Sequence, residues 1–200
     1  MVSFEEPGKA YADEVFGWSK LMGELSLRAN HEQYGLSAST VRIFTAYGPR
    51  ENETHALVAF IAKAVAEQEP FRIWGDGEQT RNFTYVKDIT QALRLASHHI
   101  SDGSAVNAGI SNHISINEVA EAVFDAVGWE PDEISHLTDK PTGVRHRAAD
   151  TTKANEVLGW EPQYSLEEGV KRTVDWYLGN NDPEYVSENL EALLTERDED

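Results

Sequence analysis

The sequence predicts an α/β fold, and three observations carry that reading. Helix-period and strand-like segments alternate along the chain. The β-branched run Ser37 to Phe44 (SASTVRIF) fits a parallel strand. Two capping boxes, Ser115 with Glu118 and Ser165 with Glu168, each open an apolar-periodic stretch. No repeat of 20–50 residues and no low-complexity segment competes with this pattern.

Each element follows from its own residues. Asp13 to Tyr34 reads as a long helix with Phe16, Leu21, Met22, Leu25 and Ala29 near one face, and Gly35 stops it. The strand Ser37 to Phe44 is broken by Tyr47-Gly48-Pro49. His55 to Gln68 is an amphipathic helix with Thr54 as its N-cap. Phe71 to Trp74 is a short strand ended by Gly75-Asp76-Gly77. Asn82 to Val86 is a strand leading into a helix from Asp88 to His99, with Asp88 as a cap. Ala105 to Ala108 is a strand, and the first capping box opens a helix to Val127. Asp150 caps a short helix to Leu158, closed by Gly159, with Trp160 packing the helix end. The second capping box opens a helix to Leu178. Asn180 to Pro183 is a linker before a last acidic helix, Glu184 to Thr195.

Composition narrows the function classes. The chain has 200 residues, 40% of them hydrophobic, enough to bury a core. Seventeen Lys and Arg face 35 Asp and Glu, a net charge of −18, which repels nucleic-acid backbones and anionic membranes alike. Acidity spread over the whole chain, rather than gathered in a tail, leads us to expect a salt-adapted, halophilic protein. With no cysteine there is no disulfide framework and no thiolate chemistry, and a reducing, cytoplasmic setting is expected. No apolar run reaches the about 20 residues a membrane span needs, and the N-terminus lacks the basic flank and apolar stretch of a signal peptide. The histidines at 31, 55, 98, 99, 113, 136 and 146 show no metal-ligand spacing, so no metal site is expected. Gly75-Asp76-Gly77 lacks a third glycine and leads into a strand, so it is no dinucleotide fingerprint, and no GxSxG elbow occurs.

Several segments in register carry a more specific signal. They are Phe16-Gly17-Trp18-Ser19-Lys20, then Arg42 to Arg50 (RIFTAYGPR) and Trp74 to Ile89 (WGDGEQTRNFTYVKDI). Val106 to Gly109 (VNAG), Gly143 to Pro162 (GVRHRAADTTKANEVLGWEP) and Ser165 to Tyr177 follow. In this order and spacing, over residues 12–178, the chain resembles the extended short-chain dehydrogenase/reductase family, the NAD-dependent nucleotide-sugar epimerases and dehydratases. WGDGEQTR with GVRHR looks most like the GDP-mannose 3,5-epimerases of that family. The resemblance implies the C-terminal part of a Rossmann-type fold with a small α/β substrate-binding domain, the N-terminal NAD-binding half being unmatched. It divides the chain into a Rossmann remnant (1–50), a mainly substrate-binding region with elements returning to the sheet (51–180) and an acidic extension (181–200).

The resemblance also assigns roles. Arg81, with Arg145 and Arg147, would contact the pyrophosphate of a GDP- or UDP-hexose, and a guanidinium fork suits a diphosphate. The bland alternative is a surface arginine paired with Glu78 or Asp76. Thr45 stands where the family usually has a substrate-touching Asn. The family's catalytic pair is Tyr-x-x-x-Lys, whose ammonium lowers the phenol pKa so that phenolate can take a proton. Here Phe16 occupies the Tyr position. Lys20 can still hold a nicotinamide ribose of NAD but has no phenol to activate, and Tyr11 lies outside the spacing. Two readings follow: a substrate-binding half with little hydride transfer alone, or a non-catalytic sugar-nucleotide-binding subunit paired with a full-length relative or an N-terminal-half chain. Several apolar side chains around the first helix and strand are expected to lie exposed unless a partner covers them, since one such side chain forgoes roughly 1.5–3 kcal/mol.

Overall fold

The computed structural model describes residues 2–6, 9–12, 14–143, 145, 146 and 148–195. In chain order the elements are β1 (Val2–Glu6), β2 (Lys9–Ala12), α1 (Glu14–Tyr34), β3 (Ala38–Ile43), β4 (Ala46–Tyr47) and α2 (Ala56–Val65). Then come β5 (Phe71–Trp74), β6 (Thr80–Arg81), β7 (Thr84–Tyr85), α3 (Val86–His99), β8 (Asp102–Ala108) and β9 (Ile114–Ser115). The chain continues with α4 (Ile116–Val127), β10 (Ile134–Leu137), α5 (Thr152–Leu158), α6 (Leu166–Asn180) and α7 (Pro183–Thr195). They fall into two compact units: Met1–Phe44, Lys87–Gly109 and Ala149–Glu161 form one, and Thr45–Val86, Ile110–Ala148 and Pro162–Asp200 the other.

In the first unit β3 and β8 pair in parallel, with Val41 opposite Val106 and a register shift between Ala38 and Thr40. A parallel pair needs a long crossover, which fits strands separated by nearly sixty residues of chain. α1 packs on β8 and β3, and α5 on β8. Gly35, at φ +68°, ends α1 while its N–H still bonds His31 O at 2.8 Å. Trp160 is buried after Gly159, its indole N–H donating to Asp88 O at 3.0 Å, so the helix-end role expected of it holds. Asp88 is not a cap: it sits buried inside the first turn of α3, which begins two residues earlier at Val86.

The face of α1 differs from the expectation. Leu21 and Glu24 are buried, whereas Val15, Phe16, Trp18, Met22 and Leu25 are exposed, Phe16 at 67%. The buried carboxylate has a partner in the strand beneath. Arg42 on β3 donates Nε to Glu24 Oε1 at 2.8 Å and Nη2 to Glu24 Oε2 at 2.7 Å. Of the expected face only Leu21 turns inward, beside a glutamate that an arginine in the strand neutralises. The exposed Val15, Trp18, Met22 and Leu25, at spacings of three and four, form the bared apolar stripe expected of this region.

The second unit has the larger core. Leu57, Val58 and Ile61 of α2, Phe71 and Ile73 of β5, Val119 and Val123 of α4, and Val170 and Val174 of α6 are all buried together. Phe71 stacks edge-on with Phe60 and Phe124, centroids 5.3 and 4.8 Å away. Three two-stranded pairings frame it: β5 with β10 and β4 with β7, both parallel, and β6 with β9, antiparallel. Both capping boxes form as read from the sequence, Ser115 and Ser165 each accepting from the N–H of a glutamate three residues on. Thr54 does not cap α2. His55 holds the N-cap position without a side-chain capping bond, and Thr54 N–H instead donates to Asn52 Oδ1 at 2.6 Å.

Candidate functional site

The turn between β5 and β6 sets the site. Gly75 (φ +80°) and Gly77 (φ +76°) take left-handed backbone that favours glycine, and a Cβ on Gly77 would run into the Asn117 amide. Asp76 Oδ1 accepts Glu78 N–H at 3.0 Å, and Gln79 Nε2 donates to Trp74 O at 2.8 Å, closing the loop. Trp74, at the end of β5, keeps its ring exposed. The turn delivers the chain into β6, which is Thr80 and Arg81.

Arg81 places Nη1 on Thr80 O at 2.7 Å and Nη2 on Thr142 O at 2.8 Å. Arg145 comes to the same strand through its backbone, because Thr80 N–H donates to Arg145 O at 2.8 Å. The Arg145 guanidinium is 66% exposed and lies 3.4 Å from Asp76 Oδ2, the surface pairing that competes with a ligand role. Two of the predicted arginines therefore share β6 as a common support. Arg147 lies outside the described residues. Thr45, whose carbonyl accepts Thr84 N–H at 3.0 Å, leads into β4 beside β7, three residues beyond Arg81 in sequence.

Phe16 and Lys20 belong to the first unit. They share one face of α1, as the four-residue spacing requires, and Lys20 Nζ sits 5.0 Å from the centroid of the Phe16 ring. The phenyl ring beside Lys20 has no proton to exchange. Tyr11 carries no described side chain.

Other groups were not legible as site features. His113 and His146 both bring Nδ1 to within 3.0 Å of Thr80 Oγ1. At the turn after β4, His55 Nδ1 lies 3.0 Å from Glu51 Oε1, and burial pushes the Glu51 carboxyl above its ordinary range against the opposing pull of His55. Single histidines with no ligand spacing leave no signal in sequence, and the two Thr80 contacts arise from pairing of β6 with β9 and with the 145–146 segment. Among the described residues no group of three or more histidine, aspartate or glutamate side chains is placed to hold a metal, and no helix is long and apolar enough to cross a membrane.

Comparison with known proteins gives this geometry a context. The family model described as GDP-mannose 4,6 dehydratase matches residues 1–173. A UDP-glucuronate 4-epimerase of Thermodesulfobacterium geofontis is 38% identical over 163 residues, covering 81% of this chain and 50% of its own. The structure of UDP-glucose 4-epimerase from Thermotoga maritima with UDP-glucose superposes with a TM-score of 0.78 at 29% identity, covering 85% of this chain and 55% of that one. A tyrosine-to-phenylalanine mutant of UDP-glucuronic acid 4-epimerase from Bacillus cereus was solved with a fluorinated UDP-sugar and NAD. It superposes with a TM-score of 0.74 at 27% identity, covering 86% of this chain and 58% of that one. The chain spans about half the length of the curated relatives it matches.

Proposed function

Because the chain belongs to the GDP-mannose 4,6-dehydratase family of NAD-dependent nucleotide-sugar epimerases and dehydratases, we propose that it is the sugar-nucleotide-binding half of such an enzyme. It grips the diphosphate through Arg81 and Arg145 and has little or no hydride transfer by itself. The observation that carries this reading is the common support of the two arginines on β6: one is in the strand, the other is bonded to it by backbone. Two of the acceptors of the Arg81 fork are neutral carbonyls, and among the described residues the Arg145 guanidinium meets an exposed carboxylate, a weak contact. A diphosphate offers both guanidinium groups charge-assisted, bidentate partners that carbonyls cannot match. Trp74, exposed one residue before the turn, offers a face on which a nucleobase can stack, and Thr45 borders the sugar.

NAD is the cofactor of the related B. cereus enzyme. The residues of this chain fit only a fraction of an NAD site. Lys20 suits a ribose hydroxyl, but no glycine-rich strand-to-helix turn for the pyrophosphate occurs in the sequence. With Phe16 in the Tyr position that place also lacks a phenolate to take the sugar proton, which fits little or no hydride transfer by this chain itself.

A second reading, a non-catalytic subunit that pairs with a full-length relative or a separate N-terminal half, is favoured by the bared stripe of Val15, Trp18, Met22 and Leu25. Such a stripe on the helix that carries Lys20 is what a partner's apolar surface would cover.

The test is calorimetric titration and thermal shift with UDP-glucose and with GDP-mannose, the latter prompted by the likeness of WGDGEQTR and GVRHR to GDP-mannose 3,5-epimerases. One of the two nucleotides raises the melting temperature, and Arg81→Ala abolishes the rise. Silence from every nucleotide sugar tried removes both readings.

A further inference from the structure

Three segments of the second unit converge on one hydroxyl. Thr80 Oγ1 lies 3.0 Å from His113 Nδ1 and 3.0 Å from His146 Nδ1. The two rings stand edge to face at 85°, their centroids 6.2 Å apart. A hydroxyl has one proton to donate and two lone pairs that accept. With both rings neutral it donates to one Nδ1 and accepts from the other, which holds the imidazoles in opposite tautomers. Serine could make the same pair of bonds, and valine could make neither.

The main chain of the same residue provides a second anchor. Thr80 N–H donates to Arg145 O at 2.8 Å, and Thr80 forms a parallel bridge with His146. On its other side β6 pairs antiparallel with β9, Thr80 opposite Ser115 and Arg81 opposite Ile114. Successive strand residues point to opposite faces, so the hydroxyl and its histidines occupy one face of β6 and Arg81 the other. The side chain of Arg145 contributes little to its own placement, since its contact with Asp76 is long and exposed.

We propose that Thr80 is a positioning residue for the diphosphate site: its hydroxyl, held between His113 and His146, fixes the 145–146 segment and so sets Arg145 relative to Arg81. The inference rests on Arg145 as a diphosphate ligand for its consequence, and on the bonds to Thr80 alone for its mechanics.

Three variants test it: Thr80→Val, Thr80→Ser and His146→Leu, the last altering an exposed side chain. Titration with UDP-glucose gives a Kd about five- to tenfold weaker in Thr80→Val and His146→Leu, the loss of one or two hydrogen bonds. Thr80→Ser binds like the parent. Trypsin acting on the ligand-free chain cuts after Arg145 faster in Thr80→Val and His146→Leu than in the parent or Thr80→Ser, as read by mass spectrometry. Parental UDP-glucose affinity in Thr80→Val overturns the proposal, as does equal weakening by serine. Unchanged cleavage in both Thr80→Val and His146→Leu overturns it even if no nucleotide sugar binds. Accelerated cleavage with neither UDP-glucose nor GDP-mannose bound by the parent upholds the anchor and condemns the diphosphate reading.

Discussion

Glu24→Ala removes the ion pair that turns α1 onto its sheet. The carboxylate accepts two bonds from Arg42, at 2.8 and 2.7 Å, in a bidentate fork whose side chains are only 11% and 17% exposed. Removing one partner of a fully buried pair costs about 3–5 kcal/mol, because it strands the other charge. Water reaches the edge of this pair, and Arg42 Nη1 keeps a long bond to Asn107 Oδ1 at 3.3 Å. The expected loss is therefore smaller, about 2–3 kcal/mol. In a domain of this size each kcal/mol moves the melting temperature by roughly 2–4 °C, so Glu24→Ala melts about 4–12 °C lower. The assay is scanning calorimetry in molar KCl, where exposed pairs are screened and a shielded one is not. The double variant Glu24→Leu with Arg42→Leu recovers at least half the loss, because apolar replacements leave no stranded charge. A fall of less than about 2 °C in Glu24→Ala would refute the reasoning. So would a double variant as unstable as the sum of the two single changes.

Lys63 is buried among Phe60, Phe71 and the Arg72 carbonyl, and burial holds its ammonium down at about 8. The unfolded chain, with an ordinary value of about 10.4, binds the extra proton between those two pH values, so stability rises as pH climbs from about 8 to about 10.4. Denaturant titration shows that rise in the parent, and Lys63→Met flattens it; a flat parent profile contradicts the burial argument. Ser115→Ala unties the capping box of α4 and costs about 1 kcal/mol in urea titrations. No change there would mean that packing alone holds the helix start. The net charge of −18 makes folding depend on salt, so melting temperature climbs steadily from low to molar KCl. A salt-independent melting point ends the halophilic reading.

Much of the fold was legible because its signals are local. A capping box needs only residues three apart, and Ser115–Glu118 and Ser165–Glu168 formed as read. Gly35 and Gly159 stop their helices in left-handed backbone that favours glycine. Thr54 and Asp88 were misread for the complementary reason. Each is a good cap by type, but the position is decided by where the neighbouring segment lets the helix begin. Arg81 and Arg145 were picked out by the motifs that carry them, and β6 supports both. Thr80, His113 and His146 were not, because 33 and 66 residues separate the partners and no spacing rule links them.

By itself the sequence determined the alternation of helix and strand, the excess of acidic side chains, the arginines at 81 and 145, and the phenyl ring four residues before Lys20. These are properties of side-chain chemistry and of neighbours within a turn or two of backbone. Tertiary structure alone decided that Arg42 draws Glu24 inward and leaves Trp18 and Met22 outside. It also decided that Asp76 pairs with Arg145 and that one hydroxyl serves two histidines. Charge and hydrogen-bonding capacity belong to each residue, but their satisfaction depends on which distant strand arrives beside it, and that is settled only when the strands pair.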